Sequence, residues 1–304
     1  MLSTTLCGVK LDNPTVLASG ILGVTAASLA MVARAGAGAV TKKSIGPKAR
    51  EGHDNPTMVE VTGGYLNGMG LPTCSVEEAI GELKEYQKLS TTPIIASFYG
   101  TSIDEYGALA KRLDGKADLL EANISCPNVA SEFGRSFSAS CDDASAVVKA
   151  IKANAKTPLL VKLSPNVPNL GEIARAVVKA GADGITAINT VGPGMVIDLK
   201  TKKPVLSNKT GGMSGPAVKP IMIRCVYEIY EATGGKVPIL ATGGILTGED
   251  AAEAIMAGAC AVGIGTGIKY RGIEIFKLVQ DELKKVMKAE GFKTVDAMVG
   301  AAHG

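Results

Sequence analysis

Cys126 lies between two carboxamides, in the run Asn123-Ile124-Ser125-Cys126-Pro127-Asn128. The apolar stretch from Leu119 to Ser125 reads as a buried strand, so the thiol sits where that strand gives way to a loop. Pro127 ends the strand ladder and pushes Cys126 towards an extended conformation. A thiol held there can exchange a proton, and Asn123 and Asn128 can bind an imide or a carboxylate from both sides. Most cysteines are small buried hydrophobes. Here the flanking asparagines and the strand-end position favour chemistry.

Other polar residues fall at comparable strand ends. In Leu159-Leu160-Val161-Lys162-Leu163-Ser164, alternation puts Lys162 on one face with Leu160 and Ser164. A lysine inside a barrel strand cannot easily reach water, so it needs an electron-rich partner. That partner is either a ligand or a structural ion pair within the barrel, with Glu121 as the candidate. Asn189 closes a later strand as Asn123 closes its own, which would bring two carboxamides into one mouth, whereas Asn166, beyond Pro165, reads as loop chemistry. Two glycine-rich endings, Ala241-Thr242-Gly243-Gly244-Ile245 and Gly263-Ile264-Gly265-Thr266-Gly267, follow the last two strands. Backbone N–H groups there can hold a phosphate with no side chain in the way. The segment Thr210 to Gly215 can bring a further donor to the same ligand, and Asn67, between Gly64 and Gly70, can present its amide to a substrate.

Composition removes several classes of function. A formal charge of +3 is too small to argue for nucleic acid or an anionic membrane. The six cysteines show no Cys-x-x-Cys pair, and the histidines are two, which argues against a disulfide framework, a zinc site or an iron–sulfur cluster held by this chain. Reduced thiols in the cytoplasm fit best. The first ten residues read as structure rather than as a signal peptide. Ile21 to Val40 is apolar, but Gly23, Ser28, Arg34, Gly36 and Gly38 divide it into a helix followed by a strand.

The elements that must position these residues alternate regularly. After a hairpin over residues 1–13, strands are expected at Thr15–Ser19, Ala39–Ser44, Ile94–Phe98, Leu119–Ser125, Leu159–Leu163, Ile185–Asn189, Pro238–Ala241 and Ala261–Ile264. Amphipathic helices separate them: Ala26–Ala35, Val76–Leu89, Ile103–Leu113, Asp142–Ala155, Leu170–Ala180, Ala217–Ala232, Gly248–Ala257 and Ile273–Glu290. Eight such units count out a single-domain α/β chain over residues 1–304, a closed (β/α)8 TIM barrel with an N-terminal hairpin. A doubly wound sheet would need a Gly-x-Gly-x-x-Gly opening, which is missing. Two insertions, residues 45–74 and 191–215, fall at the C-terminal face, where barrels keep their chemistry.

With these motifs in place the chain resembles dihydroorotate dehydrogenase. The resemblance rests on Asn-Ile-Ser-Cys-Pro-Asn at 123–128, Val-Lys-Leu-Ser-Pro-Asn at 161–166, Ile-Asn-Thr-Val at 188–191 and Leu-Asn-Gly-Met-Gly-Leu at 66–71. Ser-Asn-Lys-Thr-Gly-Gly-Met-Ser-Gly-Pro-Ala at 207–217 and the tail Val-Gly-Ala-Ala-His at 299–303 extend it over essentially the whole chain. The resemblance implies FMN in the barrel mouth, Cys126 as the catalytic base, and oxidation of dihydroorotate to orotate in pyrimidine biosynthesis. It implies substrate contacts from Lys43, Asn67, Met69, Gly70, Leu71, Asn123, Asn128, Asn189 and Thr190. FMN contacts would come from Ser19, Lys43, Ser44, Asn123, Lys162, Ile188, Gly215, Gly243, Gly244, Gly265 and Thr266.

Cysteine at position 126 resembles the soluble class 1 enzymes, and residues 207–217 with the tail resemble the NAD-linked 1B branch. That branch implies a partner subunit carrying FAD and a [2Fe-2S] cluster, in a heterotetramer built on a homodimer of the catalytic chain. The fumarate-linked 1A branch is the alternative. A phosphosugar isomerase or lyase shares the barrel and the phosphate loops, but no histidine base is found for the mouth. Two features depart from the family pattern. Thr41-Lys42-Lys43-Ser44 carries two lysines, of which alternation admits one to the mouth; counting along the strand does not decide which, and the resemblance favours Lys43. The loop from Ser131 to Cys141 keeps Phe133-Gly134 but carries Arg135 where an acidic or small polar residue is usual.

Overall fold

The computed structural model describes residues 1–124 and 136–304. Among these, eight parallel strands close into a barrel. They are Thr15–Leu17 (β1), Ala39–Ile45 (β2), Ile94–Phe98 (β3), Leu119–Asn123 (β4), Leu159–Leu163 (β5), Gly184–Ala187 (β6), Ile239–Thr242 (β7) and Ala261–Ile264 (β8). Each pairs with the next in chain order, and β8 returns to β1. The outer ring is Ala26–Arg34 (α1), Val76–Leu89 (α2), Ile103–Leu113 (α3), Cys141–Lys152 (α4), Leu170–Lys179 (α5), Lys219–Thr233 (α6), Gly248–Met256 (α7) and Ile275–Ala289 (α8). Six of these helices start at a Ser, Thr or Asn whose side chain accepts from the third helical N–H: Thr25, Ser75, Ser102, Ser140, Asn169 and Thr247. Such caps fix where each βα loop ends.

The barrel interior follows from strand alternation. The hairpin Thr4–Leu6/Val9–Leu11 plugs the N-terminal end, where Leu6 and Leu11 pack on Val16, Ala39, Ile95, Leu119, Leu160, Leu240 and Ala261. Gly184 takes this level on β6, because a Cβ there would strike Cys7 Sγ. The next inward positions, two residues further along each strand, are Ala18, Thr41, Ser97, Glu121, Lys162, Thr186, Thr242 and Gly263. Barrels commonly fill such layers with Val, Ile and Leu. Here six of the eight positions in the layer below the mouth are polar.

The two insertions pair with each other. Met58–Val61, Gly64–Asn67, Gly211–Ser214 and Val191–Gly194 form one antiparallel sheet in that spatial order. Both insertions leave from the C-terminal ends of barrel strands, so the sheet stands at the mouth. Some boundaries shift from expectation. β4 ends at Asn123, and Ser125 lies outside the described residues. A single turn, Gly267–Arg271, precedes α8. The apolar stretch Ile21 to Val40 becomes α1 and the start of β2, and no helix among the described residues is long and apolar enough to cross a membrane.

Candidate active site

The two strand-end asparagines meet. Asn189 Nδ2 donates to Asn123 Oδ1 at 3.2 Å, and Tyr106 Oη on α3 holds the Asn123 carbonyl at 2.8 Å. Thr190 N donates back to Asn189 Oδ1 at 2.8 Å, fixing that carboxamide. Asn67 arrives from the inserted sheet, where its Nδ2 donates to Gly212 O at 3.4 Å. Gly212 in turn lies so close to Thr190 that a Cβ would strike the threonine Oγ1, so Asn67, Gly212 and Thr190 form one contiguous wall. Asn166 ties the β5 loop to this wall, donating to Thr190 O at 3.3 Å and accepting from Gly192 N at 3.1 Å. That is the loop role expected for it. Met69 is partly exposed; its carbonyl accepts from His53 N at 3.1 Å, and the Leu71 carbonyl accepts from Tyr99 Oη at 3.3 Å. Gly70 has φ +71 and a Cβ there would lie 2.6 Å from His53 N, so that turn needs glycine.

The two adjacent lysines separate cleanly. Lys42 pairs with Ala96 and Ile45 with Phe98, so Lys43 and Ser44 together oppose the single residue Ser97. That is a β-bulge, and it turns two successive side chains towards the inside. Ser44 Oγ lies 2.8 Å from Ser97 Oγ and 3.3 Å from Ser19 Oγ, joining three strand ends. Lys43 shares the inner side with Ala39 and Thr41. Lys42 points the other way, is 2 % exposed, and donates to Val24 O at 2.7 Å. Burial lowers the pKa of both lysines; Cys74 and Glu82 oppose this at Lys42, while the Lys42 charge adds to it at Lys43. Lys43→Ala is therefore expected to weaken ligand binding while leaving the melting temperature nearly unchanged. Lys42→Ala should do the reverse, costing about 1–3 kcal/mol for a broken buried hydrogen bond. Ligand titration and thermal unfolding of both variants check this; equal losses of ligand affinity would refute the assignment.

Lys162 lies inside β5, 6 % exposed, opposite Asn123 on β4 and Thr186 on β6. It makes no ion pair with Glu121, whose Oε2 instead accepts from Thr186 Oγ1 at 2.9 Å while Oε1 has no hydrogen-bond partner. The structural ion pair weighed from the sequence is thus not formed. Around the rim, Gly215, Gly243 and Gly244 have φ of +114, +143 and +76, values only glycine adopts readily. A Cβ on Gly265 would make only ordinary van der Waals contact, with Ala18 Cβ at 3.7 Å and Ile21 Cδ1 at 4.0 Å. Thr266 follows it and opens the turn Gly267–Arg271. Ile188 is buried, its N–H donating to Thr242 O at 2.9 Å.

Cys126 and Asn128 lie outside the described residues, as do Phe133, Gly134 and Arg135. Of the other thiols, burial pushes Cys225 up to about 11 and Cys260 up to about 12, and raises Cys7 as well, so none of these three serves as a base near neutrality. Among the described residues no cluster of His, Cys, Asp or Glu could hold a metal ion. The residues that sequence reasoning missed are Ser97, Thr186 and Tyr106. A lone serine in Ile-Ile-Ala-Ser-Phe was the signal for the first.

Comparison with known proteins decides the family. The dihydroorotate dehydrogenase profile matches residues 1–287. The chain belongs to the dihydroorotate dehydrogenase family. It is 48% identical over all of its length to the "Dihydroorotate dehydrogenase B (NAD(+)), catalytic subunit" of Methanocaldococcus jannaschii, covering 98% of that protein. The protein of the same description from Methanothermobacter thermautotrophicus is 45% identical, with 100% of this chain and 99% of the relative covered. Among solved structures, a ligand-free dihydroorotate dehydrogenase from Eimeria tenella superposes with a TM-score of 0.87 at 25% identity, covering 99% of this chain and 92% of the other. The joined carboxamides and the inward Lys43 thus stand at the barrel mouth, with Lys162 in the layer beneath, where it has no ion pair among the described residues.

Proposed function

We propose that this chain oxidises dihydroorotate to orotate with FMN bound in the barrel mouth, as the catalytic subunit of an NAD-linked enzyme. The observation that carries the reading is the charge at Lys162: an ammonium buried in the barrel wall, beside Asn123, that forgoes the carboxylate at Glu121. A buried cation needs a counter-charge or an electron-rich partner. An isoalloxazine ring bound in the mouth would supply one.

The residues fit that cofactor. Gly265 has no side chain to bar a phosphate, and Gly243 and Gly244, at positive φ, present bare backbone as well. Thr41 Oγ1 and Thr242 Oγ1 are buried without a hydrogen-bond partner, which marks an interior built around a further polar group. Held by the glycine-rich strand ends and Lys162, FMN would supply the acceptor for the hydride that leaves C6 of dihydroorotate. The chain's own residues do the rest. Cys126 takes the C5 proton as its thiolate. Asn67, Asn123, Asn128 and Asn189 orient the substrate so that both breaking C–H bonds face their acceptors. Lys162 would hold the cofactor from β5 and favour the negative charge that reduction brings. Lys43 binds both ligands from β2.

The test is anaerobic addition of dihydroorotate to the purified flavoprotein. Bleaching of the flavin absorption is expected; a purified protein without flavin absorption, or one that dihydroorotate leaves coloured, overturns the reading. Gly265→Ala gives a second check. Because its Cβ meets the protein only at ordinary van der Waals distance, the variant should fold and melt as the parent does but be purified largely free of FMN. Retention of stoichiometric FMN would remove Gly265 from the phosphate site.

We place the FAD, the [2Fe-2S] cluster and the NAD site on a partner subunit, in a heterotetramer around a dimer of this chain. The description "catalytic subunit" borne by the relatives supports a partner.

A further inference from the structure

We propose that Glu121, held by Thr186, is a positioning residue that sets the reduction potential of the bound flavin by keeping its charge beside Lys162 but off it. This rests on the FMN reading above.

Glu121 is 1 % exposed, inside β4, one inward step below Asn123. A carboxylate taken so far from water is costly unless both oxygens are satisfied. Only one is. Oε2 accepts from Thr186 Oγ1 at 2.9 Å, while Oε1 has no hydrogen-bond partner. Thr186 is two strands away: it pairs in register with Lys162, which pairs with Asn123. The carboxylate must therefore cross the inner face of β5 to reach the hydroxyl, passing on the side from which Lys162 projects. An ammonium and a carboxylate so placed would ordinarily collapse into an ion pair, since that is the strongest contact open to either. They do not. The hydroxyl of Thr186 holds the carboxylate to one side, and the lysine stays available to the mouth.

The consequence is electrostatic. Reducing the flavin adds negative charge, and a fixed carboxylate within the same low-dielectric wall opposes it, while Lys162 favours it. Glu121 thus damps the lysine's effect without cancelling it. Ser97, which faces Glu121 in register on β3, is uncharged, and so are Thr41 and Thr242 in the same layer. Among the described residues of that layer, Lys162 on β5 is the other charged group.

Two variants separate this from a merely structural hydrogen bond. Glu121→Gln removes the negative charge and keeps the shape, so the flavin potential should rise. A tenfold gain in the reduced-to-oxidised ratio is expected, about 30 mV for a two-electron couple. Thr186→Val frees the carboxylate to pair with Lys162, so the potential should fall by a comparable factor. Potentials are read by dye equilibration of the holoprotein, without dihydroorotate, so the result does not depend on turnover. Shifts of opposite sign support the proposal. An unchanged potential in Glu121→Gln, or shifts of the same sign in both, overturns it. If Glu121→Gln fails to fold or loses FMN, Thr186→Val decides alone: a fall supports the proposal and no fall overturns it. A parent protein that binds no flavin would instead defeat the FMN reading.

Discussion

Cys126→Ser is expected to keep FMN but to slow flavin bleaching by dihydroorotate by about 10²–10⁴-fold at neutral pH, the usual worth of a positioned general base. A free thiol has a pKa of about 8.5, so at neutrality the thiolate is a minority species that grows as pH rises. The parent rate should climb through that range. The serine variant, whose hydroxyl is a far weaker acid, should show no matching limb below pH 10 or so. Stopped-flow reduction across pH checks both statements. Equal rates for parent and variant would remove Cys126 from proton transfer. Cys141, the first residue of α4, is the control: its replacement should leave reduction unchanged.

The barrel was legible because its strands are short, buried on both faces and separated by capped amphipathic helices. The run Leu159–Leu163 is apolar except for one lysine, and the structure confirms its bounds unchanged. What escaped was non-local. Nothing in residues 45–74 announces that Gly64–Asn67 will pair with Gly211–Ser214, some 145 positions away for Asn67 and Gly212. Neither partner strand is strongly patterned, and three of the residues involved are glycines.

The bulge at Lys43 and Ser44 was equally hidden. Alternation alone says that one of two adjacent lysines faces inward, and the offset against Ser97 is a property of the neighbouring strand. Once that strand is in place, both Lys43 and Ser44 turn in, so one bulge accounts for two site candidates. For Lys162 the sequence posed the right question, ligand or ion pair, and the answer lay in Thr186, a residue with no chemical signature of its own.

Electron delivery gives the sharpest expected contrast. The isolated chain should oxidise dihydroorotate with an artificial dye and fail to reduce NAD. A dinucleotide needs its own binding surface beside a flavin, and this chain has neither a Gly-x-Gly-x-x-Gly opening after a strand nor cysteines spaced for an iron–sulfur cluster. Its relatives are nevertheless described as NAD(+) enzymes and as catalytic subunits. The two facts agree if a second polypeptide carries the electrons onward, so that each dihydroorotate oxidised yields one NADH and one proton only when both chains are present. Adding an FAD and iron–sulfur partner should raise NAD reduction from background to the rate seen with dye, leaving the dye rate itself little changed. NAD reduction by this chain alone, free of any other subunit, would sink the partner requirement. Efficient fumarate reduction by the isolated chain would move the protein to the fumarate-linked branch, with the chemistry at Cys126 untouched.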